Sequence, residues 1–145
     1  MDPGPETSGL SIRAFRPDDE DEVVRLWRAC GLVVPWNDPH EDMARKTAFQ
    51  SDLFLVGELA GRVAAAVMAG YEGHRGWINY LAVDPVLQGR GLGGRMMSAA
   101  EEALKALGCP KINLMVRRSN RAVVSFYERL GFRPDDVVCL GKKLV

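Results

Sequence analysis

"VLQGRGLGGR", residues 86–95, places four glycines within the six positions 89–94 and flanks them with Arg90 and Arg95. Ordering glycine is costly because it loses more backbone freedom on folding than any other residue. A chain that spends four of them directly before a helix-forming run, "MMSAAEEALKALG", needs its backbone to turn sharply or to approach something closely. The stretch before the loop, "GWINYLAVDP", is apolar and ends at a proline, which reads as a strand leading into a turn. Strand, glycine loop and helix in that order make an anion cradle: the loop N–H groups and the positive end of the helix dipole converge on one point.

Three glycine patterns compete for this loop. A nucleoside-triphosphate loop needs G-x-x-x-x-G-K-[ST]. Gly89 and Gly94 have that spacing, but Arg95 and Met96 follow, leaving no lysine for a terminal phosphate and no hydroxyl for magnesium. A dinucleotide fingerprint needs G-x-G-x-x-G immediately after a strand, with an acidic residue about 20 positions on. Gly89, Gly91 and Gly94 match by letter, yet Asp84 to Gln88 intervene, and "INLMVRRSN" offers arginines where the acid should be. Arg117 or Arg118 would allow a phosphorylated dinucleotide, but 145 residues leave no room for a second nucleotide-binding half and a substrate domain. The third pattern, Q-x-x-G-x-G from Gln88, Gly91 and Gly93, suits a pyrophosphate held by consecutive main-chain N–H groups, with Arg90 and Arg95 adding charge. A glycine-rich turn with no ligand is the bland alternative.

Composition narrows the class. Lysine plus arginine and aspartate plus glutamate both number 19, so no basic excess speaks for nucleic acid. Three cysteines, Cys30, Cys109 and Cys139, are an odd and widely spaced set, unlike a disulfide framework. No apolar run approaches the roughly 20 residues that span a bilayer, and the acidic, Pro/Gly-rich start "MDPGPETSG" is unlike a signal peptide. The expectation is a cytoplasmic, non-membrane protein: a flexible tail over residues 1–9 and one domain over 10–145.

Along the chain, "SIRAFR" (11–16) alternates as a strand. "PDDEDEVVRLWRACG" reads as a helix with an acidic first turn and an apolar stripe of Val23, Leu26, Trp27 and Cys30. "VVPWNDP" is a loop, followed by a polar helix from about His40 to Gln50. "DLFLVGEL" (52–59) and "VAAAVMAGYE" (63–72) form a hairpin, and "WINYLAV" (77–83) follows as a third strand. After the glycine loop, Leu92, Met96, Ala100, Ala103 and Leu107 fall at helical spacing. "KINLMVRR" (111–118) is a strand, "SNRAVVSFYERLGF" a helix capped by Ser119 or Asn120, and "DVVCLGKKLV" a closing strand. The order β-α-α-β-β-β-α-β-α-β gives an α/β (α+β) chain with a mixed sheet flanked by helices, and a right-handed parallel crossover from 77 to 118.

"LAVDPVLQGRGLGGRMM" followed, one strand later, by "NRAVVSFYERLGF" resembles the GNAT superfamily of acyl-CoA-dependent N-acyltransferases. The resemblance covers residues 10–145 and is strongest over 77–132. "PWNDP" and "GYEGHRGWINYLAV" resemble the small YpeA-type bacterial acetyltransferases. The resemblance implies a mixed sheet of six to seven strands and about four helices, with a splay between the fourth and fifth strands that admits the pantetheine arm of acetyl-CoA. It implies that Leu81, Ala82 and Val83 bind that arm through main-chain groups. Gln88, Gly89, Arg90, Gly91, Leu92, Gly93, Gly94 and Arg95 would bind the pyrophosphate, Asn120 would reach the pantetheine, and Tyr127 would sit by the thioester sulfur. The co-substrate would be acetyl-CoA, used without a metal, and the acceptor a primary amine of a small molecule or a peptide. A homodimer is compatible with it.

Direct attack of an amine on the thioester needs a proton acceptor, because a lysine-like amine has a pKa of about 10.4. Some relatives carry a glutamate five residues before the asparagine of the second motif; here Met115 stands there and cannot take a proton. Glu72 is the first choice as base, with His74 and Asp84 behind it, and Tyr127 is the candidate acid. From spacing alone Tyr127 also reads as a core residue with a satisfied hydroxyl. Trp36, Asn37, Asp38, Tyr71 and Tyr80 are candidate acceptor contacts. A CoA-binding sensor that has lost catalysis is the alternative function that Met115 motivates, and a nicotinamide reductase is a remote third.

Overall fold

The sheet is built outward from a long central strand whose composition leaves it little choice. "RVAAAVMAGY", Arg62–Tyr71, is β3 in a computed structural model of the chain that describes residues 7–145. Its residues from Val63 to Ala69 are all buried, as a strand covered on both faces requires. β1 (Ser11–Ala14) and β2 (Phe54–Leu59) precede it, and β4 (Gly76–Val83) and β5 (Ile112–Leu114) follow. The five strands lie in the order β1-β2-β3-β4-β5. The first three pairings are antiparallel and β4–β5 is parallel, so the sheet is mixed. The helices are α1 (Glu20–Ala29), α2 (Pro39–Ala48), α3 (Leu92–Ala106) and α4 (Arg121–Arg129).

The stripe expected on α1 is the face that packs: Val23, Leu26 and Trp27 are wholly buried. They join Met43 of α2 and Phe54, Val56, Ala66, Met68 and Ala82 of the sheet in one core cluster. α3 carries the other layer. Its buried set is Leu92, Met96, Met97, Ala100 and Leu104, so the stripe drifts away from Leu107, which is exposed. A Cβ on Gly57 would stand 3.1 Å from the Met96 sulfur and 3.1 Å from Leu10 Cδ1, so glycine in β2 lets α3 lie close.

Two boundaries carry charge. Residues 17–19 form a short 3-10 turn before α1, and Asp19 within it is the buried carboxylate of this layer. Arg13 on β1 grips it with two bonds of 2.8 and 2.9 Å and reaches Glu58 of β2 with its Nε at 2.9 Å. That pairing holds the Asp19 carboxyl below its ordinary range, aided by the Arg16 N–H.

The expectation of six to seven strands is corrected to five among the described residues. "DVVCLGKKLV" forms no strand, and Val137, Val138, Leu140, Leu144 and Val145 are exposed. Alternating side chains supply the pattern of a strand, but a strand also needs a ladder partner. β5 is likewise three residues long rather than eight. Residues 1–115 and 116–145 form separate compact units. The expected tail, residues 1–9, lies outside the described residues up to position 6. Its last part folds back: Leu10 N–H donates to Thr7 O at 3.3 Å.

Candidate functional site

The first unit has one place where the sheet comes apart. β5 pairs with β4 only from Gly76↔Ile112 to Ile78↔Leu114, while β3 stays with β4 as far as Ala65↔Val83. On its β5 side, β4 from Asn79 to Val83 has no ladder partner among the described strands. The cause lies in β4 itself. Met68 pairs with Asn79 and Ala66 with Ala82, so two residues of β4 oppose one of β3. Tyr80 within this bulge has a left-handed backbone, φ +52. A bulge of this kind bends the strand and increases its twist.

The unpaired edge is aimed. Asp84 N–H donates to Ala64 O of β3 at 2.8 Å. Successive N–H groups of a strand alternate in direction, so the Val83 N–H points away from β3, to the open side. The Val83 carbonyl shares that side and is taken by two side chains, Cys30 Sγ at 3.2 Å and Gln88 Nε2 at 3.1 Å. The Cys30 thiol is half-buried, and burial raises its pKa, so it stays protonated as a donor.

A turn at Pro85–Leu87, capped by the Asp84 side chain on Val86 N–H at 3.1 Å, leads into the glycine loop. Gly89 has φ +79 and Gly91 φ +84. Gly91 is the residue before α3, and the first bond of that helix runs from Arg95 N–H to Gly91 O, 3.1 Å. The N–H groups of Leu92, Gly93 and Gly94 are therefore orphan donors of the helix start. No cap side chain covers them, and among the described residues no atom beyond Gly91 and its chain neighbours lies within 4 Å of where a Gly91 Cβ would be. The result is an open cradle of donors at the positive end of a 15-residue helix, suited to a phosphate or pyrophosphate. Leu92 is buried in the core and contributes its main chain. Arg95 donates to Thr7 O at 3.2 Å and Leu10 O at 3.3 Å, so its guanidinium also secures the chain before β1.

In the second unit, Asn120 caps α4 through Val123 N–H at 3.4 Å. Tyr127 is buried, with its ring edge-on to Phe126 and Phe132 at 5.0 and 5.5 Å between centroids. Burial pushes its hydroxyl up to about 12.

Glu72 is not brought to the open edge. It follows β3 at the hairpin where Tyr71 faces Gly76, whereas Val83 faces Ala65 at the far end of the same ladder. Seven residues of strand separate those ends, roughly 20 Å. The Glu72 carboxylate also accepts the N–H groups of His74, at 3.1 Å, and Arg75. It closes its own turn. His74 shares that turn, Asp84 caps another, and Met115 is exposed.

The residue that sequence reading missed is Asp42. On α2, its Oδ2 accepts from the Tyr80 hydroxyl at 2.5 Å and its Oδ1 from Arg45 at 3.1 Å. The two partners of the Tyr80 bond lie 38 positions apart, and no motif links them. Lys46 and Gln50 have structural work in the same region. Lys46 Nζ donates to Ala69 O, and the Gln50 amide bonds both main-chain groups of Tyr71, at 2.8 and 2.9 Å, where β3 extends past its partner β2. Among the described residues, no group of three or more His, Cys, Asp or Glu side chains is placed to share a metal ion, and no helix is long and apolar enough to cross a membrane.

The sequence pattern of the acetyltransferase (GNAT) family matches residues 20–132. An acetyltransferase of Sodalis glossinidius is 51% identical over 137 residues, 94% of this chain and 96% of that protein. One of Pectobacterium atrosepticum is 48% identical over 136 residues, with the same coverage. In fold, the chain is similar to PaiA N-acetyltransferase of Thermoplasma acidophilum in complex with coenzyme A. There the TM-score is 0.76 at 18% identity, covering 90% of this chain and 93% of that one. Ard1 of Thermoplasma volcanium gives a TM-score of 0.75 at 24% identity, over 86% and 82%.

Proposed function

Because the chain belongs to the GNAT family of acetyltransferases and takes acetyl-CoA as its acetyl donor, we propose that it moves the acetyl group to a primary amine by direct attack on the thioester. The observation that carries this reading is the combination of an unpaired β4 edge with the glycine cradle that follows it in the chain. The pantetheine amides add to Leu81, Ala82 and Val83 as a further strand would, and the pyrophosphate takes the N–H groups from Gln88 to Gly94. Arg90 and Arg95 supply positive charge.

The amine nitrogen attacks the thioester carbonyl carbon. The carbonyl oxygen gains negative charge and accepts from the Val83 N–H, a donor fixed beforehand by the backbone. Collapse breaks the carbon–sulfur bond, and the CoA thiolate leaves. A thiolate near pKa 8.5 needs a hydrogen bond more than full protonation, the role that the family resemblance gives to the Tyr127 hydroxyl. The proton lost by the amine passes to water. The test is acetyl-CoA-dependent release of free CoA thiol in the presence of primary amines. Release with an amine and none with the matching alcohol supports N-acetylation; the reverse overturns it.

A further inference from the structure

Tyr80 is held in a conformation that aromatic residues avoid. A left-handed backbone in a non-glycine residue is uncommon and strained, so it persists only where the surroundings impose it. Two groups do so here. The Tyr80 ring stacks on Trp27, with centroids 4.0 Å apart and planes 11° from parallel, and its hydroxyl donates to Asp42 at 2.5 Å. Trp27 is wholly buried and stacks in turn on Phe54 at 6.3 Å, which stacks on Phe15 at 4.3 Å. The strained residue is thus anchored both to the α1 core and to a carboxylate of α2. Pairing of β4 with β5 ends at Ile78, two residues before Tyr80, so Tyr80 lies at the start of the free edge.

We propose that Tyr80 is a positioning residue for the acetyl donor: Trp27 and Asp42 clamp it in the bulge, and the clamp sets the direction in which Leu81, Ala82 and Val83 present their main chain. The inference rests on the reading that this edge holds the pantetheine arm. Without the Asp42 bond, the ring can swing from the bulge and β4 can relax toward a regular course, turning the Val83 N–H away. The clamp also ties the donor edge to α2, a different layer of the fold.

The test is calorimetric titration of acetyl-CoA into the wild-type protein, Tyr80→Phe, Asp42→Asn and the double variant, each well below its own melting temperature. Tyr80→Phe keeps the ring and the stack, and Asp42→Asn keeps the side-chain shape, so the two report independently if one fails to fold. Tyr80→Phe removes the bond and is expected to weaken acetyl-CoA binding about tenfold, the scale of one hydrogen bond to a charged group; Asp42→Asn keeps a neutral acceptor and is expected to weaken it by less. The double variant is expected to be no weaker than Tyr80→Phe alone, because that change already removes the bond. At saturating acetyl-CoA, kcat should fall as well, because the turned Val83 N–H no longer meets the thioester oxygen. Lowered melting temperatures with a Kd within about twofold of wild type would make the pair packing only and overturn the inference, as would additive losses in the double variant. A wild-type protein that does not bind acetyl-CoA would overturn the donor-site reading itself.

Discussion

The Gln88 side-chain amide donates to the Val83 carbonyl, five residues back along the chain, at 3.1 Å. The first residue of the Q-x-x-G-x-G pattern therefore fastens the glycine loop to the end of the strand that precedes it. Replacing Gln88 by Ala removes one of two donors on that oxygen, and Cys30 keeps the other. The KM for acetyl-CoA should rise about fivefold, the scale of one neutral hydrogen bond, with kcat little changed. Steady-state kinetics at varied acetyl-CoA check it.

Gly91 separates backbone need from ligand need. Its φ of +84 makes any side chain strained, and among the described residues nothing beyond its chain neighbours lies within 4 Å of its missing Cβ. Gly91→Ala should cost about 1–2 kcal/mol of stability from the backbone alone. Gly91→Trp should carry a similar folding cost and abolish acetyl-CoA binding, because the indole fills the cradle. Thermal denaturation paired with acetyl-CoA titration reads both.

The Arg13–Asp19 pair sets the acid limit of this layer. The carboxyl of Asp19 is depressed in the folded state, so its contribution is present above the unfolded value of about 3.9 and is lost as pH falls through the lower folded value. Stability from this source should be constant from neutral pH to about 4 and fall below it. Asp19→Asn should destabilise by about 2–3 kcal/mol at pH 7, leaving Arg13 with Glu58 alone, and should flatten the acid limb of a denaturation series.

Tyr127 is pushed up to about 12 by burial, so its hydroxyl keeps its proton throughout the working range. Tyr127→Phe should lower kcat about 10- to 100-fold without moving the pH profile below pH 10. The stability linked to its raised pKa is fully present below about 10 and is lost as pH rises toward 12, and the Phe variant should lack that part of the alkaline loss.

Glu72 gives the opposite expectation. Its carboxylate closes the β3–β4 turn, so Glu72→Gln should leave kcat/KM and its pH dependence unchanged. The pH profile should instead follow the ionisation of whichever amine is supplied. Profiles with two amines of different basicity, for the variant and the wild type, decide it.

What could be read in the sequence was local. Helix α1 was legible because Val23, Leu26 and Trp27 recur on one face, and the strand–loop–α3 unit because glycines punctuate it. The mixed order of the sheet followed from the lengths of the connections. The closing strand was misread because alternation in "DVVCLGKKLV" says nothing about a partner for its backbone. That the Glu72 carboxylate closes its own turn was not legible, because adjacency to a strand does not say which groups a side chain reaches. The bonds that shape the site, Tyr80 to Asp42 and Cys30 to Val83, join residues 38 and 53 positions apart. Such pairs depend on how layers pack, and a single chain carries no periodic signal for them.

The most direct measurement is a mass-spectrometric screen of primary amines and amine-bearing peptides incubated with acetyl-CoA and either the wild-type protein or Gly91→Trp. The account predicts that at least one amine gains the mass of a single acetyl group on nitrogen with the wild type and none does with the variant. Equal acetylation by the two proteins, or acetyl-CoA bound tightly with no amine modified, would contradict it.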